Sequence, residues 1–524
     1  MSTVTIERLD NSNGRSSADL STYSGGMFYG TAPSGWDSYT HPLFPSVIIK
    51  AKQVSSATNA LSSGIIPNSD NTANTYTSLC TIGDIGDKVK IECTVPVLGG
   101  GTSTITLATL TLASATLALQ GAEIAAKING FTYLTGFSAT FVTATLTIIA
   151  PTKYGVYLNT GTPYTFTVTP IGTPVHTFAF GTQTLGVSGT ASLFADAYYQ
   201  ISEYFRMNVN GNLWVGFISA SSSFQEILAL QLASGNILRR GWIADTDATR
   251  GAAVNLLNTA TSIQSIITNI SNTYPIEITY RPNIKAVSDL STLPNSQLLT
   301  ATNNVQVLIS QDGDAQGNLL YTTLGYSVSN IGAKLGTASK TRLSASDAQP
   351  ISQFNVSDGV ENKVAAFSNG QLLTAIDTTL NTQLYNYGYV FFTNYPGNAS
   401  GNYWNSNRML VSSASRYAYM NDNMVWDEVT RICLRTYIPQ LNSEVIYEGK
   451  NISSLSIKTL QGLGVAAITA ALITGKNPPM ISGTPVINIP ADQDIQATNT
   501  LNISVGTQEN GIIRDIVISN GYTN

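Results

Sequence analysis

Alternating apolar and polar residues recur through the first 190 residues, a period that is typical of β-strands with one buried face. Turn-forming residues separate these runs, and one helical segment at 119–129 interrupts them. The pattern predicts a β-rich domain of hairpin type. The runs lie at 88–95, 104–112, 137–142, 145–150, 164–169 and 176–180, and a shorter apolar strand lies at 47–50.

From about residue 190 the pattern changes to helical spacing alternating with short apolar runs, which favours βα units around a mostly parallel sheet. We expect Ser223 to cap one helix, with Glu226 three residues on and Gly235 at its end. The predicted helices are 196–208, 223–235 and 249–271, and the predicted strands are 213–219, 237–244, 276–280 and 305–310.

The last third predicts a strand at 387–397, a long amphipathic helix at 424–445 that is interrupted near Pro439, and a helix at 455–475. A hairpin follows, with strands at 501–505 and 512–519 joined by the polar turn 506–511.

Both ends of the chain are therefore competent to form strands, since Val4 and Ile6 alternate with Thr5 and Glu7 in the same way. Terminal strands of this kind suit β-augmentation, in which a segment joins the sheet of another subunit. The candidate intersubunit strand residues are Val4, Thr5, Ile6, Glu7, Ile512, Ile513, Arg514, Asp515, Ile516, Val517 and Ile518.

Together these elements predict an α+β or α/β multidomain fold, with a mixed-sheet core, helices, an inserted antiparallel β-rich domain and strand-forming terminal arms. The predicted division is an N-terminal arm with the first core strands at 1–51, the β-rich insertion at 52–188, an α/β core at 189–380, the rest of that core at 381–500 and a strand arm at 501–524.

Charge is scarce: the 524 residues include 26 Lys and Arg and 31 Asp and Glu, 11% of the chain, with a net charge of −5. Soluble proteins typically carry about 25% charged residues. The balance excludes a polybasic nucleic-acid binder and an acidic disordered tail. A weakly charged surface also offers little repulsion against association, which favours an assembled protein.

The three cysteines, Cys80, Cys93 and Cys433, cannot form a disulfide framework. The first fifteen residues lack the charged and apolar regions of a signal peptide, so we expect a protein kept in a reducing cytoplasm or released by lysis. The uncharged stretch 93–122 is rich in Thr and Gly, and the helix near 456–473 contains two glycines. We expect neither to span a membrane.

Few residues suggest catalysis, since His41 and His176 are the two histidines and no CxxC, HExxH or GxSxG motif occurs. The segment 332–341 resembles a phosphate loop but lacks the lysine directly after its second glycine, so we interpret it as a helix with its exit loop. The segment 312–317 resembles the start of a calcium loop without the closing Glu, and we interpret it as a turn.

Asp245 and Asp247 form the most enzyme-like feature, because they follow a predicted strand at the end where α/β enzymes place carboxylates. No partner base or nucleophile is evident nearby in the sequence. We therefore expect Asp247 to cap the following helix. The predictions are no enzyme activity, no catalytic residue, no cofactor and no metal.

Several segments resemble the sheath proteins of contractile tails. They are YFRMNVNGNLWVGFI at 204–218, the helix ending in Leu-Gly within 327–348, and the strand, Gly-containing loop and long helix of 389–445. The inserted segments 122–130 and 145–159 are similar to a β-insertion of some phage sheath subunits.

The resemblance implies a structural subunit that polymerises around an inner tube and contracts to drive it through a cell envelope, ejecting a phage genome. The implied partners are other copies in stacked hexameric rings, the inner tail tube protein, and baseplate and tail terminator proteins. No nucleic acid and no membrane span are implied. The subunit would lie in the virion tail after assembly in the host cytoplasm, with its β-insertion facing outward.

Three alternatives remain open at this point. The sheath could belong to a phage-derived contractile injection or secretion particle. The chain could instead be a hydrolase with a β accessory domain that uses Asp245 and Asp247. The Thr-rich β-domain also suggests an adhesin or surface-lattice protein, which would require export.

Overall fold

The computed structural model describes residues 23–512 apart from 34, 42–43, 58–60, 62–74, 97–101, 131, 133–136, 151–162, 174, 185–193, 220–221, 271–273, 358–360, 396–400 and 499. The chain forms two compact units. The first consists of the described parts of Met1–Ala60, Gln200–Gln311 and Gly325–Asn524, and the second of those of Leu61–Tyr199 and Asp312–Leu324. The five-part division stays a prediction.

In chain order the strands are β1 (Tyr23–Tyr29), β2 (Asp37–Thr40), β3 (Ile48–Val54), β4 (Thr75–Cys80), β5 (Lys88–Pro96), β6 (Thr102–Thr111), β7 (Ser138–Val142), β8 (Thr145–Ile149), β9 (Tyr164–Thr169), β10 (Phe178–Thr184), β11 (Asn212–Ile218), β12 (Arg240–Ala244), β13 (Glu277–Arg281), β14 (Val305–Val307), β15 (Ser310–Asp312), β16 (Ala365–Phe367), β17 (Phe392–Thr393), β18 (Tyr403–Trp404), β19 (Tyr447–Glu448), β20 (Asn451–Ile452), β21 (Ile481–Asn488) and β22 (Ser504–Glu509).

The helices are α1 (Leu117–Gly130), α2 (Ala195–Met207), α3 (Glu226–Ala233), α4 (Ala248–Gly251), α5 (Ala253–Ile270), α6 (Gln316–Thr323), α7 (Ile331–Lys340), α8 (Thr378–Asn386), α9 (Met420–Tyr437), α10 (Ser454–Leu472) and α11 (Ile495–Thr498).

A seven-stranded mixed sheet in the order β14-β13-β12-β1-β11-β3-β2 forms the centre of the first unit. Strands β11, β1, β12, β13 and β14 run parallel, whereas β3 and β2 are antiparallel to their neighbours. Every residue of β12 and β13 is buried, as expected for parallel strands covered on both faces. This mixed α/β architecture confirms the predicted fold class.

The two faces of this sheet carry different packing. On one face Met27, Ile243 and Ile278 share a core with Ile227 of α3 and Ile263 of α5. The alternate residues Phe28 and Trp242 pack edge to face, with ring centroids 5.7 Å apart. The period of two along β1 and β12 therefore fills two separate layers.

The second unit contains two antiparallel sheets, β10-β4-β8-β7 and β6-β5-β9, with α1 packed on β6 and β7. Strand β5 shows why these elements were predictable. Its residues Val89, Ile91, Cys93 and Val95 are at most 3% exposed, and the residues between them face outward or are half-buried. The six predicted strands and the helix all occur in the structure, with bounds shifted by at most a few residues.

The start of α3 differs from the prediction. Ser222, and not Ser223, supports it: the Phe224 N–H donates to Ser222 Oγ at 3.0 Å and this hydroxyl donates to Glu226 Oε2 at 2.7 Å. Phe224 takes a left-handed φ of 67°, which turns the chain just before the helix. The predicted end at Gly235 is confirmed by its φ of 73°, a conformation that favours glycine.

The predicted helix 249–271 is two helices, since the extended backbone of Ala252 separates α4 from α5. The predicted strand 387–397 contributes β17 and a bridge at Val390. Pro439 does interrupt the long helix: α9 ends at Tyr437 and a 3-10 turn, Ile438–Gln440, follows, because proline lacks the N–H that an α-helix requires.

Helices α9 and α10 with strands β21 and β22, here called the C-terminal module, share one core that includes Val425, Val429, Ile468 and Ile487. The predicted hairpin turn at 506–511 is wrong. Residues 506–509 belong to β22, which pairs antiparallel with β21. Val505 and Thr507 are half-buried and alternate with exposed Ser504, Gly506 and Gln508, so the strand period continues through polar residues.

Candidate functional site

Asp245 lies at the carboxyl edge of the parallel strands, where open α/β folds bind ligands. Its fully buried carboxylate accepts two hydrogen bonds from Arg250, Nε to Oδ2 and Nη2 to Oδ1, both 2.8 Å long. The Tyr280 hydroxyl donates to Oδ2 at 2.8 Å, and the Asp247 N–H donates to Oδ1 at 2.9 Å. Four donors on two oxygens make this carboxylate the anchor of a structural network.

Asp247 caps a helix, as predicted. Its Oδ1 accepts from the Thr249 N–H at 2.8 Å, and this hydrogen bond holds the pKa of Asp247 below its usual range. The helix that it caps is the short α4. Arg250 Nη1 lies 3.2 Å from Asp247 Oδ2, and its guanidinium stacks 4.6 Å from the centroid of the Tyr29 ring. Asp245 and Asp247, the two candidate catalytic acids, thus both form ion pairs with Arg250.

The two histidines lie in different units. His41 Nδ1 accepts a hydrogen bond from the Phe44 N–H at 3.1 Å, and the two rings pack 4.8 Å apart. His176 is buried against Phe178, and neither of its ring nitrogens has a hydrogen-bond partner among the residues that the structure describes. Burial lowers the pKa of both rings, so both are neutral core residues at pH 7.

The two ligand-loop resemblances are explained by packing. Segment 332–341 falls in α7, as predicted, and a Cβ at Gly332 or Gly336 would overlap the carbonyls of Gln200 and Tyr204. The glycines therefore let α7 approach α2. In 312–317, Asp312 Oδ2 accepts from the Ala315 N–H at 2.7 Å and closes a turn ahead of α6. Within the described residues no group of three His, Cys, Asp or Glu side chains could hold a metal ion.

The C-terminal module carries an open groove of about 450 Å³. One wall is α9, through Trp426, Val429, Cys433 and Tyr437. The other is formed by Val505 of β22 and by Ile503 just before that strand. Every described residue that lines it is uncharged. Burial raises the pKa of the Cys433 thiol, which keeps it protonated and unreactive. The groove is therefore suited to apolar contact and not to chemistry.

Uncovered apolar side chains continue beyond the groove. Leu441 is 69% exposed, Leu455 at the start of α10 66% and Ile446 between them 59%. By length and composition α10 is apolar enough to cross a membrane, and only 22% of its most apolar window is buried in the fold. A contiguous set of such residues marks an interaction surface more often than a freely solvated one. We call the groove, Leu441, Ile446 and the exposed side of α10 the apolar surface.

An open sheet edge adjoins the apolar surface. Strands β21 and β22 form a two-stranded sheet, and in the described part of the chain neither outer edge carries a third strand. Ile512 lies just after β22 and is half-buried. The other ten candidate strand residues, at 4–7 and 513–518, lie outside the described residues, so their role stays a prediction.

Sequence reasoning missed the apolar surface because its residues come from three separated segments, namely α9 with the turn after it, Ile446 with α10, and Ile503 with Val505. One signal was available. Helix α9 carries a buried stripe that includes Val425 and Ile432, and Trp426, Cys433 and Tyr437 form a second apolar stripe at helical spacing. A helix that is apolar on two faces needs a cover on both.

No protein-family model matches this chain, and none of the curated proteins does. Among solved structures, a chain in the cryo-EM structure of the anti-feeding prophage baseplate, 6-fold symmetrised, is a structural neighbour. The match covers 62% of this chain and 80% of that chain, with 12% sequence identity and a TM-score of 0.41.

Proposed function

We propose that this chain is a structural subunit of a contractile tail sheath, which polymerises around an inner tube and contracts to drive that tube through a cell envelope during phage genome ejection. The observation that carries the proposal is the apolar surface beside the open edge of β21 and β22. The sequence segments that resemble sheath proteins and the strand-competent ends of the chain support it. The same chemistry would serve a phage-derived injection particle.

Strand addition provides the link between subunits in this proposal. A strand of about five residues contributes a few backbone hydrogen bonds at about 0.5–1.5 kcal/mol each. Burial of apolar side chains adds about 25 cal/mol for each Å² removed from water. Such links can persist while rigid bodies rotate, and contraction then needs only that the contracted lattice has more favourable contacts than the extended one.

The proposed partners are other copies in stacked hexameric rings, the inner tube protein, and baseplate and tail terminator proteins, in a virion tail assembled in the host cytoplasm. The proposal includes no catalytic step. Asp245 and Asp247 serve the fold, because their oxygens already accept hydrogen bonds from Arg250, Tyr280 and backbone N–H groups.

Deletion of the terminal segments tests the strand links. Removing residues 1–10 or 512–524 leaves all described strands intact, because β22 ends at Glu509. We expect either deletion to abolish tubular polymers in negative-stain micrographs while circular dichroism and the melting temperature remain those of a folded monomer. Tubes that persist in both variants would refute the strand links.

A matched pair of substitutions tests the apolar surface. Leu455 on α10 and Val142 in the second unit are 66% and 67% exposed, so a charge at either position costs the monomer little. We expect Leu455→Asp to prevent assembly and Val142→Asp to leave it unchanged, measured as the pelleted fraction after ultracentrifugation. Equal effects of the two substitutions would remove the apolar surface from the proposal.

A further inference from the structure

A buried cluster of ionisable side chains joins the sheet of the first unit to α9. Glu277 opens β13 and is fully buried, Arg239 precedes β12, and Glu428 and Arg431 project from α9. All four are at most 7% exposed. Buried charges persist only when partners compensate them, so each group in this cluster can be followed to its partners.

The arginines of the cluster have hydrogen-bond partners other than Glu277. Arg239 Nε donates to Glu428 Oε2 at 2.8 Å, and Arg240 Nε lies 2.8 Å from the Met424 sulfur. Arg431 donates to the carbonyls of Asn236 and Leu238, each at 2.9 Å, and to that of Pro275. The exposed Arg435 reaches the second oxygen of Glu428 at 3.1 Å.

Glu277 has a different environment. Its Oε1 accepts from Asn304 Nδ2 at 2.8 Å. Its Oε2 is buried, and no N–H or O–H donor of the described residues reaches it. The group that meets it is another acid, the half-buried carboxyl of Asp427 on α9. Two neighbouring carboxyl groups, one of them cut off from solvent, are not both ionised near neutral pH because their charges repel each other.

We propose that Glu277 and Asp427 share one proton, which forms the hydrogen bond that joins β13 to α9. Glu277 carries the proton, and Asp427 carries the charge, which Arg431 and Arg239 stabilise. Gln264 of α5 donates to Asn304 at 3.1 Å and so fixes the amide that holds Glu277. The ionisable groups that face the pair are Arg239 and Arg240 at β12 and Glu428, Arg431 and Arg435 on α9.

The pKa values agree with this arrangement. Burial and then the Asp427 charge raise the pKa of Glu277 well above its usual range. Burial, opposed by Arg431, raises the pKa of Asp427 to about 7. In the unfolded chain both acids lose their protons near pH 4. Above about pH 4 the folded protein therefore binds more protons than the unfolded chain does. The stability that the pair provides is accordingly lost as the pH rises.

The pair anchors the helix that also presents the apolar surface, since Trp426 directly precedes Asp427. Protonation at the inner side of α9 thus stabilises the position of the groove wall on its outer side. This consequence concerns the folded monomer, and it does not depend on the proposed assembly.

Glu277→Gln tests the shared proton, because the amide donates to Asp427 without needing a proton. We expect its unfolding constant, measured with urea at several pH values from 5 to 8, to rise less steeply with pH than that of the wild type, by up to tenfold per pH unit. Asp245→Asn is the control in the same sheet: it removes a buried carboxylate that contacts Arg250 and not the pair, and we expect it to destabilise the protein while keeping the wild-type pH dependence from pH 5 to 8. An unchanged pH dependence in Glu277→Gln would overturn the proposal.

Infrared spectroscopy of the wild type provides a second test that needs no variant to fold. A protonated buried carboxyl absorbs separately from ionised ones, so a neutral carboxyl band at pH 7 that vanishes on alkaline titration supports the shared proton. In Asp427→Asn the ionised partner is replaced. The neutral carboxyl band should then remain, but its intensity should no longer change with pH near pH 7. A wild-type spectrum at pH 7 without any neutral carboxyl band would overturn the proposal.

Discussion

At the scale of single residues, Asp245 shows how a carboxylate in an enzyme-like position can serve stability. Asp245→Asn keeps the shape but removes the charge that Arg250 and Tyr280 contact. We expect it to lower the free energy of unfolding by about 2–3 kcal/mol, the range for hydrogen bonds to charged groups. Urea unfolding monitored by tryptophan fluorescence measures this, since Trp242 lies in β12, the strand that ends directly before Asp245.

Asp247→Asn is the matched control for Asp245. Asparagine caps helices as well as aspartate does, so we expect a change within about 0.5 kcal/mol, typical of a neutral surface substitution. A large loss at position 247 with none at position 245 would contradict the assignment of the buried carboxylate as the anchor.

The lowered pKa of His176 predicts how the stability of the second unit changes in acid. Burial lowers its pKa, and the neighbouring Asp87 only partly opposes this. The unfolded chain therefore binds a proton near pH 6.5 that the folded unit resists, so stability is full above this pH and falls as the pH drops below it. We expect faster hydrogen exchange in β5 at pH 5 than at pH 7 after correction for intrinsic rates, and a smaller change in His176→Phe. Equal changes in both proteins would contradict this.

At the scale of elements, two adjacent serines before α3 have different roles. Ser222 contacts both the Phe224 N–H and the Glu226 carboxylate, whereas Ser223 is exposed. We expect Ser222→Ala to cost about 1 kcal/mol, because it removes the hydrogen bonds to the Phe224 N–H and the Glu226 carboxylate, and Ser223→Ala to cost close to nothing. Thermal unfolding of the two variants distinguishes them, and the reverse order would show that the sequence-based capping box is right.

Sequence periodicity predicted the elements that bury one face with apolar residues. Strand β5 is such a case, because Val89, Ile91 and Cys93 all point inward. Strand β22 was mistaken for a turn because Thr507 occupies an inward position, where an apolar residue would have shown the period. Its partner β21 already ends at Asn488, and pairing across such a gap leaves no local signal in a single sequence.

The candidate site was only half predictable for a related reason. The capping role of Asp247 was predictable from its place before a helix, and the structure adds Arg250, which contacts both Asp245 and Asp247. The apolar surface could not be assembled from sequence, because α9 and Val505 meet only after the chain folds. A single sequence shows that α9 has two apolar stripes without showing which of them the fold leaves open.

At the scale of the whole molecule, the fold uses part of its small set of charges internally. Lys334 and Asp347 pair at 2.7 Å with exposures of 0% and 3%, and Asp245, Arg239 and Glu277 are buried as well. The surface therefore carries fewer charges than the 26 basic and 31 acidic side chains of the sequence. In the proposed assembly, repulsion between copies is therefore weak, and we expect their contacts to depend mainly on apolar burial and backbone hydrogen bonds.

This balance predicts that assembly is insensitive to salt. Raising the ionic strength from about 0.01 M to about 1 M shortens the Debye length from about 30 Å to about 3 Å. Such screening weakens exposed ion pairs but leaves apolar burial intact, so we expect the pelleted fraction of wild-type polymer to stay constant or to rise. An assembly held by complementary charges would instead dissociate, and the Leu455→Asp variant would then remain assembled at low salt. Measuring both proteins across this series identifies which force joins the subunits.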